Sequence, residues 1–309
     1  IDFPYSQLDG TDIIADVALG RLPAATSTEL LTMINKILSY EQRPYITDPS
    51  WTQAGLLTVN LPEFGAMSLV QSSRSVKTLM LDNHFTRIDT LWNNMGGSYA
   101  TVITNSINQG VSFFNYSMWV GMGGFGLSQI NALTNGRKMP FCTLFGEGQA
   151  GWNNSNIENF LKAGTPANPQ GAIGAIGLIT ISVQPPQCST LYGGFYAGLF
   201  NENITTAGNL LNRSRLELYN AYVVNYPTAV TNYTNWSMLA GDPGLDLYAG
   251  RIHFMTVDAT APFYWGINSV TLLIEETGVG AVEGATACLY KTNELQSVGL
   301  TDATGYVTL

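Results

Sequence analysis

Apolar, β-rich runs alternate with helically spaced ones along the first 250 residues, and this alternation narrows the fold more than any other feature. Ile13 to Leu19 and Gly55 to Val59 read as strands, as do Val111 to Tyr116, Phe141 to Phe145 and Ala172 to Val183. The Val-Ser-Phe-Phe-Asn-Tyr run at 111–116 is strongly β and predicts a strand in the middle of a sheet. Between these runs, Thr26-Ser-Thr-Glu29 has the spacing of a capping box. Leu30, Ile34, Ile37 and Leu38 then follow at helical spacing and predict a helix to about Tyr40. Leu79 to Trp92 is mixed, with a helix predicted from Thr86. Further helices are predicted over Thr101–Asn108, Leu127–Leu133, Asn156–Ala163, Leu191–Asn201 and Ala207–Tyr226. Such alternation predicts an α/β fold, a mostly parallel sheet with helices on both faces.

After Tyr248 the pattern changes. Val270–Glu275 alternates, Thr277–Gly280 turns, Ala285–Tyr290 is β again, and Thr301–Gly305 turns before Tyr306–Leu309. Strands at this spacing read as a β-sandwich module, here with too few strands to be complete. Two domains are expected, residues 1–250 and 251–309.

Composition removes several functions. Only 11% of the 309 residues are charged and the net charge is −9, so tight gripping of nucleic acid is excluded as an expectation. No stretch of about 20 apolar residues is present, so membrane insertion is not expected either. Cys142, Cys188 and Cys288 lie far apart and cannot make a disulfide framework, and two histidines, His84 and His253, are too few for a His-rich metal site. Asn115, Asn153, Asn203, Asn212, Asn232 and Asn235 each begin a glycosylation sequon. With low charge and abundant Asn and Thr, they point to a secreted or cell-surface protein. The chain starts at Ile1 without a signal peptide, which is expected of a mature or trimmed product.

A set of landmarks then appears in order. Leu8-Asp-Gly-Thr-Asp12 leads to Asp16 and Gly20-Arg21; the helix of Thr26–Glu41 follows. Next come Gly110-Val-Ser-Phe-Phe-Asn-Tyr116, Ile130–Asn135 with Pro140-Phe141, and Gly241-Asp-Pro243. This order resembles the gingipain-type cysteine peptidases, clan-mates of the caspases, from about residue 5 to 248. The tail from Val282 to Lys291 and Thr301 to Gly305 is similar to the immunoglobulin-like module that follows such domains. The resemblance implies a further α/β segment before residue 1. It also implies a catalytic His directly after the strand at 111–116, inside Gly-His-Gly, and a catalytic Cys after the strand at 141–145.

Here those places read Ser117-Met118-Trp119-Val120 and Gly146-Glu147-Gly148. Trp119 thus stands at the base position and Glu147, or Gly146 if the alignment slips by one, at the nucleophile position. Asp16 matches an acidic residue that orients the His in some members, and without an imidazole it has no triad role. Cys142 falls at the start of its strand, so the better-placed alternative thiol is Cys188, with neither histidine placed to serve it. No cofactor is expected; Asp9, Asp12 and Asp16 could ligate Ca²⁺, although no EF-hand spacing supports it. Gly121–Gly126 superficially resembles a phosphate loop but lacks the Lys and the Ser or Thr. The leading expectation is an inactive, gingipain-like extracellular protein with a structural, adhesive or assembly role, self-associating at the cell surface and touching surface glycan or protein. Two alternatives stay open: a carbohydrate- or peptide-binding pseudo-enzyme floored by Trp119, and a cysteine peptidase using Cys188.

Overall fold

The computed structural model describes residues 1–60, 66–92, 96–118, 120–259, 266, 269–292 and 294–309. The chain divides into two compact units, Ile1–Arg251 and Ile252–Leu309.

The first unit is built on a six-stranded sheet. Its strands are β1 (Ala54–Asn60), β2 (Arg87–Trp92), β3 (Phe113–Met118), β4 (Phe141–Gly146), β5 (Gly174–Leu178) and β6 (Ser237–Ala240). Their spatial order is β2-β1-β3-β4-β5-β6, parallel throughout except that β6 runs antiparallel to β5. β1, β3, β4 and β5 are buried almost end to end, which is why they read as continuous apolar runs rather than alternating ones.

The helices are α1 (Ser27–Gln42), α2 (Ala66–Asp82), α3 (Tyr99–Gln109), α4 (Leu127–Asn131), α5 (Asn156–Lys162), α6 (Pro185–Asn201), α7 (Ala207–Tyr222) and α8 (Pro227–Trp236). They make the core two-sided. On one face, Val76 and Met80 of α2, Phe195 and Leu199 of α6 and Leu218 of α7 pack with Leu57, Phe113 and Phe145. On the other, Ile103 and Ile107 of α3, Ile130 of α4 and Phe160 of α5 pack with Leu56, Phe114 and Leu144. Thr26 caps α1 as its spacing predicts, its Oγ1 accepting from the Glu29 N–H at 3.2 Å, while the Glu29 carboxylate reaches the Ala25 N–H at 2.7 Å.

Several local expectations are corrected. Residues 13–19 form bends, not a strand, because the Asp12 and Asp16 carboxylates take backbone N–H groups of their own loop; only Arg21 bridges to β6, at Ala240. The segment from Thr86 is not helical: Arg87–Trp92 is β2, pairing in parallel with β1. The strand expected over 172–183 is only Gly174–Leu178. The helix expected to reach Tyr226 ends at Tyr222, and Pro227 opens α8 as a separate helix.

The second unit is all β among its described residues. β7 (Met255–Ala259), β8 (Thr271–Glu276), β9 (Gly280–Ala281) and β12 (Tyr306–Thr308) share one antiparallel sheet, and β10 (Thr286–Lys291) pairs with β11 (Glu294–Leu300) in another. That is more strand than the sequence predicts; β7 and β11 were hidden because most of their residues are exposed and leave a weak alternation. A small core of Val270, Leu272, Ile274, Ala285, Ala287 and Val307 holds it together.

Candidate functional site

The register of the sheet brings three strand ends level. Asn60 of β1 pairs with Met118 of β3, and Met118 pairs with Gly146 of β4. In an open parallel sheet, functional loops leave from such carboxyl ends. Two residues there are held in unusual backbone. Met118 is buried with φ +84°, a conformation that favours glycine. Gly146 lies so close to β3 that a Cβ on it would sit 2.3 Å from the Met118 carbonyl oxygen. The Glu147 N–H then donates to that same oxygen at 2.8 Å. Of the two residues expected to share the nucleophile position, only 147 has room for a side chain on this backbone. Trp119, expected at the base position, lies outside the described residues.

Beyond Trp119 the chain makes a left-handed turn. Gly121, Met122, Gly123 and Gly124 have φ of +78°, +41°, +60° and +90°, and the Met122 side chain is wholly buried. Gly123 packs on Tyr99, where a Cβ would stand 2.6 Å from the tyrosine Cβ. The Tyr99 hydroxyl donates to the Val59 carbonyl at 2.5 Å, tying this turn to the end of β1. The glycines therefore serve a tight backbone turn packed on α3.

Beneath the strand ends runs a buried polar network. Thr58 Oγ1 donates to the Asn115 carbonyl (2.8 Å), Asn115 Nδ2 to Ser117 Oγ (3.1 Å) and Thr143 Oγ1 to Asn115 Oδ1 (3.1 Å). Thr143 Oγ1 also shares a hydrogen bond with the Tyr196 hydroxyl at 3.2 Å. Sequence reasoning missed this network, whose one signal was polar Thr and Asn residues at the centre of otherwise apolar strands. Asn115 is fully buried, so as a sequon it is closed to a glycan once the chain has folded. Asn153 and Asn203 are exposed, and Asn212, Asn232 and Asn235 are half-buried.

The thiols are placed elsewhere. Cys142 is the second residue of β4, about 13 Å of strand before Gly146 at roughly 3.3 Å per residue, and is wholly buried. Burial pushes its thiol well above the ordinary range, against a smaller opposing effect of Lys36. Cys188 lies in the first turns of α6, near the strand ends, and is also wholly buried. A helix N-terminus favours thiolate, but burial, followed by the Glu147 charge, pushes this thiol upward instead. Cys288 is exposed, and all three are free. His84 sits in the turn between α2 and β2, at the opposite edge of the sheet, and His253 meets Glu276 at 2.9 Å in the second unit.

Asp16 stays within its own loop. It accepts from the Leu8 and Asp9 N–H groups at 2.6 and 3.0 Å, and these bonds, that of Asp9 foremost, hold its carboxyl below the ordinary range. Asp9 and Asp12 likewise accept from the N–H groups of Gly10 and Ile14. Among the described residues no group of three or more His, Cys, Asp or Glu is placed to hold a metal ion. No described helix is long and apolar enough to cross a membrane.

The profile of peptidase family C25 matches residues 1–248. The chain belongs to this family. Gingipain R2 of Porphyromonas gingivalis is 26% identical over 151 residues, which are 45% of this chain and 20% of that relative's length. This family domain has the fold of the Arg-specific cysteine proteinase gingipain R, whose crystal structure matches with a TM-score of 0.83 at 19% identity, over 99% of this chain and 71% of that one. The complex of Porphyromonas gingivalis RgpB pro- and mature domains matches with a TM-score of 0.82 at 18% identity, over 99% and 73%. The relatives of this C25 domain are cysteine peptidases.

Proposed function

We propose that this C25 domain is a peptidase fold without peptidase chemistry, carried outside the cell for a structural, adhesive or assembly role. Hydrolysis in a cysteine peptidase needs a thiolate and an imidazole that meet at one site. The main support for the reading is the pair of strand ends at Met118 and Gly146, where Glu147 follows β4 and neither thiol of this unit reaches solvent. Met118 keeps a backbone conformation suited to glycine, as expected where a Gly-His-Gly has been overwritten. Cys188 is a poor substitute nucleophile, because the fold favours its neutral thiol. We read the second unit as the immunoglobulin-like module of the family. Its exposed Leu295, Val298 and Leu300, together with the few charges of the whole chain, favour self-association or contact with other surface proteins.

Labelling the folded protein with an activated thiol probe and mapping the adducts by mass tests the reading. Modification at Cys288 alone is expected. Rapid modification of Cys188 at neutral pH would restore the reading as an enzyme with a displaced nucleophile.

A further inference from the structure

A cavity of about 270 Å³ opens on the outer side of α7, bounded by Ile13, Ile14 and Ala15 of the N-terminal loop and by Ile204. It shares no residue with the strand ends of β3 and β4. Its wall is part aliphatic, from Ile13, Ile14, Ala15, Ile204 and Leu216, and part polar, from Asn209 and Asn212; Ile14 and Leu216 stand exposed at it. Two arginines, Arg213 and Arg215, also line it. Arg215 is only 7% exposed, and its partners are all neutral: Ser237 Oγ at 3.0 Å, the Ser237 carbonyl at 2.7 Å and Asn212 Oδ1 at 3.0 Å, with the Phe3 ring 4.8 Å away. Three of its five N–H groups are engaged in these bonds. They tie α7 to the start of β6 but leave the buried charge without a counter-ion among the described residues, and burial pulls the guanidinium down to about 9. Arg213, next but one in the sequence, is different. Its guanidinium is held by Glu202 and Glu217 at 2.7 and 2.8 Å, and neither carboxylate lines the cavity.

We infer that this cavity binds a small amphipathic carboxylate, its aliphatic chain lying on Ile13, Ile14, Ile204 and Leu216 and its carboxylate pairing with Arg215. The carboxylate supplies the missing counter-charge and accepts from the remaining guanidinium N–H groups. The volume accommodates a chain of about eight carbons.

Octanoate and its neutral isostere octanamide, titrated into the whole chain by calorimetry or NMR, test this. Octanoate should bind saturably, with Kd on the order of 1 mM or tighter, the range open to a ligand of about ten heavy atoms. Octanamide should bind at least tenfold more weakly. Arg215→Gln risks the fold, so the informative variant is Leu216→Asp, at a partly exposed position of the cavity wall. It should keep its melting transition and lose at least tenfold in octanoate affinity. Equal binding of the amide, no saturation, or octanoate binding indifferent to Leu216→Asp would each overturn the inference.

Discussion

Lys36 shows how far single residues in this fold depart from their ordinary surroundings. It is 1% exposed and donates to the carbonyls of Phe160, Leu161 and Ala172 at 3.0, 2.7 and 3.4 Å, closing the end of α5. Burial pulls its amine down to about 7 against a smaller opposing effect of Cys142, although the three carbonyl acceptors, one for each ammonium hydrogen, suit the charged form. The folded chain therefore releases this proton at lower pH than the unfolded chain does. Below pH 7 the cost of burying the ammonium is present in full, and it fades as pH rises toward 10.5. Between pH 7.5 and 9.5, the unfolding free energy of the native protein should rise relative to that of Lys36→Met, by as much as about 1.4 kcal/mol per pH unit. Parallel denaturation curves across that range check it; a flat difference would show that the carbonyls keep the ammonium charged. At the strand ends, Gly146→Ala forces a Cβ into the Met118 carbonyl and should destabilise by about 2 kcal/mol, the cost of overpacking, as read by chemical denaturation.

At the scale of elements, the central strands were legible because burial on both faces makes them uniformly apolar, and most helices from their spacing and caps. Elements that escaped did so for physical reasons. In α2 the buried stripe of Leu69, Val76 and Met80 is interrupted by Ser73, itself wholly buried, so the helical period is masked. Ile88, Leu91 and Trp92 have helical spacing, yet tertiary pairing with β1 makes them a half-buried edge strand. The strands β3 and β4 were legible as apolar runs, whereas the conformation of Met118, the crowding at Gly146 and the burial of Cys188 needed the third dimension. The polar network across β1, β3 and β4 ties these strands to α6 through Tyr196. Thr143→Val should cost about 1–3 kcal/mol by leaving Asn115 Oδ1 and the Tyr196 hydroxyl short of a partner. Combined with Tyr196→Phe, the loss should be smaller than the sum of the single losses, and a double-mutant cycle reads the difference.

For the whole molecule, weak charge and exposed apolar strands point the same way. A net charge of −9 over 309 residues repels weakly at physiological salt, and Leu295, Val298 and Leu300 of β11 stand more than half exposed. Sedimentation should show association rising with concentration, and Val298→Lys with Leu300→Glu should reduce it; a wild-type chain that stays monomeric at high concentration would count against an assembly role. The central claim, a C25 fold without its chemistry, is tested most directly by hydrolysis of Arg-, Lys- and mixed peptidyl substrates by the purified protein, beside Cys142→Ala and Cys188→Ala. No turnover above the uncatalysed rate is expected from any of the three. Turnover by the native chain that disappears in either cysteine variant would contradict the account.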